Sequence, residues 1–129
     1  MHKKEFFERV QRYARLGDLE RAEDLTRIVF YLLSARLTIN EGDDLRAQLS
    51  EDLKKLWDEV KETKVDVIKF KRPEFLNRVM ADGRLKNAKE AENVVNAVFK
   101  ALKSQISKGE AEDVAAQLPE HLKEMWTIA

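Results

Sequence analysis

The sequence predicts an all-α protein, an internally duplicated helical bundle with about four helices per repeat arranged around a pseudo-two-fold axis. Three observations carry this expectation. Residues Glu5–Trp57 align without a gap on Glu74–Trp126 at an offset of 69, and 20 of the 53 aligned positions are identical, the mark of a duplicated unit. Glycine and proline number only four and two, while the strong helix formers Leu, Ala, Glu, Lys and Arg dominate. Apolar residues recur at spacings of three and four, the period of an amphipathic helix.

Each element follows from local signals. Phe6, Val10 and Ala14 share one face of a first helix, which Gly17-Asp18 interrupts. Asp18 and its counterpart Asn87 are good N-caps, and Glu90, three residues after Asn87, completes a capping-box pattern. Long helices are expected near 19–38 and 88–107. Ala22, Leu25, Val29, Leu33 and Leu37 form the stripe of one, and Ala91, Val94, Val98, Leu102 and Ile106 that of the other. Thr38-x-x-Glu41 and Ser107-x-x-Glu110 are matched capping boxes that open a short third helix ending near Leu49 and Leu118. A fourth helix carries Leu53, Leu56 and Trp57, or Leu122, Met125 and Trp126, with Pro119 suited to its first turn. Both tryptophans continue an apolar stripe and read as core anchors.

The repeats span 1–58 and 73–129, joined by a linker over 59–72. The start of the linker is expected to extend the fourth helix. Beyond it, β-branched Val65, Val67 and Ile68 suggest an extended or irregular segment up to Pro73. A helical unit of this size buries only about 60% of its chain surface, so two repeats are expected to share one core.

Charge excludes several functions. The chain carries 24 basic and 24 acidic residues, with the signs interleaved in both halves as on solvated helix faces. Nucleic acid is disfavoured as a partner, because its binders present a basic stripe or domain. Cysteine is absent, which removes disulfides and thiolate metal sites. The longest apolar run, Ile28–Leu33, is too short for a membrane span, and the amino-terminal stretch lacks the apolar segment of a signal peptide. A cytoplasmic protein is expected.

Differences between the halves point to a surface. Ile28, Tyr31, Leu32, Ala35 and Ile39 become Ala97, Lys100, Ala101, Ser104 and Lys108 in the second half. Each change is towards a smaller or more polar residue, and the positions share one helix face. The first long helix thus has an extra apolar stripe, either covered by linker residues Val65, Val67, Ile68 and Phe70 or serving as an interface. The candidate interface is Ile28, Tyr31, Leu32 and Ala35, suited to a protein partner or self-association.

Among the polar residues shared by the halves, which include Arg15/Arg84 and Glu41/Glu110, a candidate duplicated polar site comprises Arg9, Glu23, Asp44 and Gln48, with Arg78, Glu92, Asp113 and Gln117. The competing structural reading pairs Arg9 with Glu23 between helices and places the acids at helix starts, where the macrodipole favours them.

No pattern demands a chemistry. The clusters Glu41-x-Asp43-Asp44 and Glu110-x-Glu112-Asp113 lack the alternating ligands, sixth-position glycine and twelfth-position glutamate of a calcium loop. His2 and His121 sit in no Glu-x-x-His spacing and suit no triad. No catalytic, cofactor or metal residue is assigned, and no enzyme activity is expected.

The string Gly109-Glu110-Ala111-Glu112-Asp113-Val114-Ala115-Ala116-Gln117-Leu118-Pro119 and the entry Glu74-Phe75-Leu76-x-Arg78-Val79, followed by Ala91-Glu92, resemble the bacterial family catalogued as domain of unknown function 2267. The first half departs from this pattern, with Ser50 in the place of the proline. The resemblance spans most of the chain. It implies a helical duplication of about this length and brings no activity, substrate or catalytic residue. The functional expectation is a protein–protein interaction or structural module. The alternative is a small-molecule or nucleic-acid binder using the duplicated polar site.

Overall fold

The capping signals and apolar stripes do become helices. The computed structural model describes residues 2–61 and 72–129, and its regular structure there is wholly helical. The order is α1 (Lys3–Ala14), α2 (Leu19–Arg36), α3 (Ile39–Ala47), α4 (Glu51–Lys61), α5 (Arg72–Asp82), α6 (Ala88–Lys103), α7 (Lys108–Gln117) and α8 (Glu120–Ile128). The starts of α5 to α8 lie 69 residues after those of α1 to α4. The long helices end earlier than periodicity suggests, at Arg36 and Lys103. Thr38 and Ser107 are already the N-caps of the next helices, so the chain must leave the helical path before them. Leu37 and Ile106 therefore belong to turns. The start of the linker does extend α4, to Lys61. Val65, Val67, Ile68 and Phe70, and with them the question of what they cover, lie outside the described residues.

Local chemistry explains the helix boundaries. The Asp18 side chain accepts from the Arg21 amide at 2.7 Å, and that of Asn87 from the Glu90 amide at 2.9 Å. The Glu90 carboxylate in turn accepts from the Lys86 amide at 2.9 Å, a box displaced by one residue from the usual form. At the other ends, α1 and α5 close with the Leu16 amide on the Gln11 carbonyl and the Leu85 amide on the Met80 carbonyl, both at 2.9 Å. Such closures need a left-handed residue, usually glycine. Here the residues are Arg15 at φ 56° and Arg84 at φ 53°, and a side chain in that region costs about 1–2 kcal/mol.

Packing places α2 and α6 centrally. Both touch α1 and α5 as well as each other, while α4 lies on α2 and α8 on α6. The short helices α3 and α7 meet one another. Aromatic contacts run through each half, edge-on except for the tilted Phe75–Phe99 pair. Phe30 lies 5.6 Å from both Phe6 and Trp57, and Phe99 lies 6.3 Å from Phe75 and 5.1 Å from Trp126, between ring centroids. Both tryptophans are buried, as core anchors should be. Trp126 donates from its indole nitrogen to the Ala111 carbonyl at 2.8 Å, fastening α8 to α7. The Lys103 ammonium donates to the carbonyls of Trp126, Thr127 and Ala129 at 2.7, 3.2 and 3.1 Å. It satisfies orphan groups at the end of α8.

Close approach explains Gly83, just beyond α5. A Cβ there would lie 2.7 Å from Leu25 Cδ2 on α2 and 2.7 Å from the Val79 carbonyl oxygen. The backbone atom cannot yield cheaply. Gly17, in the corresponding turn after α1, has open space around it. Gly83→Ala is therefore expected to destabilise by about 1–3 kcal/mol, in the range of overpacked sites. Gly17→Ala should change stability by no more than about 0.5 kcal/mol. Urea denaturation of both variants checks the contrast.

Candidate functional site

The capping boxes predicted for α3 and α7 form only by half. Thr38 Oγ1 accepts from the Glu41 amide at 3.3 Å, and Ser107 Oγ from the Glu110 amide at 3.1 Å. In a complete box each glutamate would reach back to the amide of its capping residue. Those amides are taken from across the molecule. The Thr38 amide donates to Gln117 Oε1 at 2.9 Å, and Gln117 Nε2 donates to Thr38 Oγ1 at 3.2 Å. Conversely, the Ser107 amide donates to Gln48 Oε1 at 2.6 Å, and Gln48 Nε2 donates to Ser107 Oγ at 3.3 Å. The glutamine ending each short helix thus caps the start of the other.

The two glutamates, released from capping, turn inward. Glu41 and Glu110 are buried and lie within hydrogen-bonding reach of each other. Burial, then the hydrogen bond to Glu41 and its charge, push the Glu110 carboxyl up to about 8, with smaller repulsion from Asp113 and Asp44. Two carboxylates side by side in a desolvated site cannot both ionise cheaply. Glu110 therefore keeps its proton to higher pH than an ordinary glutamate. Glu41 Oε1 and Glu110 Oε2 are buried without a hydrogen-bond partner.

The predicted polar residues therefore separate into two groups. Asp44, Gln48, Asp113 and Gln117 come to this α3–α7 junction. Arg9, Glu23, Arg78 and Glu92 lie on the long-helix pairs. Arg9 donates to Ser104 Oγ at 3.4 Å rather than pairing with Glu23. Glu23 instead binds Arg27, one helical turn on, at 3.0 Å, and Arg27 also reaches Glu59 at 2.7 Å. Arg78 pairs with Asp82 at 3.7 Å, and Glu92 borders an open cavity of about 270 Å³ with Lys89 and Met125. Of the candidate interface, Leu32 and Ala35 are fully enclosed by the chain, while Ile28 and Tyr31 are half-buried. The facing of Glu41 and Glu110 was missed by sequence reasoning, which assigned both to caps. The available signal was the shared spacing of Gln48 and Gln117 behind the two capping residues.

Among the described residues no three metal-ligating side chains cluster, and no helix is long and apolar enough to cross a membrane. A family model described as an uncharacterized conserved protein (DUF2267) matches residues 3–125. The chain belongs to the DUF2267 family. No curated protein matches it. The match covers both halves of this DUF2267 protein, including the entire α3–α7 junction.

The raised Glu110 pKa has a definite sign. The folded protein retains a proton that the unfolded chain releases. The resulting stabilisation is fully present below the ordinary glutamate value of 4.5 and is lost as pH rises through about 8. Asp58 and Glu59 are held low by Arg46 and Arg27, so their titration falls below this window. Urea midpoints of the wild type should decline from pH 5 to pH 8, at up to about 1.4 kcal/mol per unit. Glu110→Gln should flatten that decline and be the more stable protein at pH 8. In a separate test, Gln48→Ala and Gln117→Ala should each cost about 1–2 kcal/mol by stranding a capping amide, measured by thermal unfolding.

Proposed function

We propose that this chain is an internally duplicated, pseudo-two-fold helical module of the bacterial cytoplasm that acts through protein–protein contact or as a structural unit, not as an enzyme. The duplication is supported by the 69-residue recurrence of identities and helix starts and by the reciprocal glutamine caps. The observation that carries the functional reading is the engagement of the shared polar residues. Gln48 and Gln117 bind the opposite half, Glu23 is held by Arg27, and Arg78 holds Asp82. These groups serve the fold. A ligand using them as a duplicated polar site, the alternative reading, would have to displace their present partners.

A protein partner, or a second copy, would meet α2 at Ile28 and Tyr31, since Leu32 and Ala35 are covered within the chain. A half-exposed Tyr beside an aliphatic residue suits a contact surface, because its ring adds apolar area while its hydroxyl stays wet. Analytical ultracentrifugation of the wild type and Tyr31→Asp tests self-association. The wild type should show reversible, concentration-dependent association that the charged variant loses, with both variants folded by circular dichroism. A strictly monomeric wild type would end the self-association reading.

A further inference from the structure

The turn after α1 and the turn after α5 come together around one cavity of about 300 Å³. Four cationic side chains line it, Arg15, Arg21, Arg84 and Lys86, against one carboxylate, Glu90. That carboxylate is engaged in capping α6 through the Lys86 amide. The Arg21 guanidinium donates to the carbonyls of Gly83 and Arg84. These contacts tie α2 to the α5–α6 turn without neutralising charge, because the acceptors are uncharged.

Elsewhere, Arg27, Arg46, Lys61 and Arg78 have carboxylate partners. Among the described residues no carboxylate pairs with Arg15, Arg84 or Lys86. Arg15, Arg84 and Lys86 therefore border this cleft with no described carboxylate bound to them.

The backbone adds a second observation about the same residues. Arg15 and Arg84 are the non-glycine residues of positive φ among those described. Glycines lie close by at 83 and 17, yet neither occupies the left-handed position. A left-handed position held by a long cation in both turns, both lining one cavity, is a costly placement of the kind that clusters at ligand sites. Forked guanidinium donors match the oxygens of a phosphoryl group, which can accept two parallel hydrogen bonds from each.

We propose that this cleft binds a small phosphate-bearing anion. Its volume accommodates one or two phosphoryl groups with a small organic body. Arg21 and Arg84 also border the neighbouring cavity that reaches Ile28, but the anion proposal does not rest on the contact reading of α2.

The test uses the full-length protein and inorganic pyrophosphate as the probe, followed by calorimetric titration and thermal shift, with sodium chloride of matched ionic strength as the reference. The wild type should show a saturable rise in melting temperature with pyrophosphate and none with matched chloride. The double variant Arg15→Gly/Arg84→Gly should weaken binding by about tenfold or more, as expected for lost charge-assisted hydrogen bonds. Glycine prefers the left-handed turn, so this variant should melt at or above the wild-type temperature without ligand. The loss therefore cannot be ascribed to misfolding. Lys108→Gln, remote from the cleft in sequence and exposed on α7, should bind as the wild type does. The proposal is overturned if pyrophosphate acts no differently from chloride, or if the double glycine variant binds it equally well. Binding of a short single-stranded oligonucleotide in the absence of pyrophosphate binding would also overturn it, in favour of a nucleic-acid surface.

Discussion

The apolar flanks of α2 and α6 are not covered by the helices of their own half alone, and the architecture follows from that constraint. Helix α2 buries Leu25, Val29, Leu32, Leu33 and Ala35, residues that project from more than one side. Its neighbours are α1 and α4 from its own half, and α5 and α6 from the other. Helix α6 likewise takes α1 from the first half as well as α5 and α8 from its own. Each large apolar side chain brought out of water contributes about 1.5–3 kcal/mol, against about 0.5–1.5 kcal/mol for a typical hydrogen bond. Apolar burial therefore dominates the joining of the halves.

Polar contacts decide how the halves align. Apolar burial is non-directional, whereas the contacts of Gln117 with Thr38 and of Gln48 with Ser107 demand one register of α3 against α7. Sliding either helix by a turn would strand both capping amides. The same exchange has an electrostatic consequence. Since the glutamines occupy the capping amides, Glu41 and Glu110 have no role at their own helix starts and face one another in a desolvated pocket. The raised Glu110 carboxyl makes the junction sensitive to pH in a range where ordinary carboxylates no longer titrate.

The surface charges follow a related division. Arg27 bridges α2 to α4 through Glu59, Arg46 joins α3 to α4 through Asp58, and Lys61 meets Asp43. These exposed or half-exposed pairs add little stability individually, but they match cation to carboxylate across helix interfaces. The two left-handed turns lack that matching, and their arginines line the same cleft.

The helices themselves were legible in the sequence because caps and periodicity are local. Asp18, Asn87, Thr38 and Ser107 start helices as their side chains require, and the stripes ending in Trp57 and Trp126 face inward. The long helices were read a few residues too far, since Leu37 and Ile106 keep the apolar period while the next cap has already begun. The polar site was legible only by residue type. Spacing along one helix cannot say that Gln48 caps the other half, that Arg9 reaches Ser104 instead of Glu23, or that Glu41 meets Glu110. It also cannot show that Arg15 and Arg84 border one cavity. The sequence by itself determined the helices, their capped starts and their main apolar stripes, because those depend on neighbours within about four positions. Only the tertiary structure decided which polar groups meet and which side chains of α2 stay open to a partner. Those outcomes depend on chain segments tens of residues apart brought together by packing.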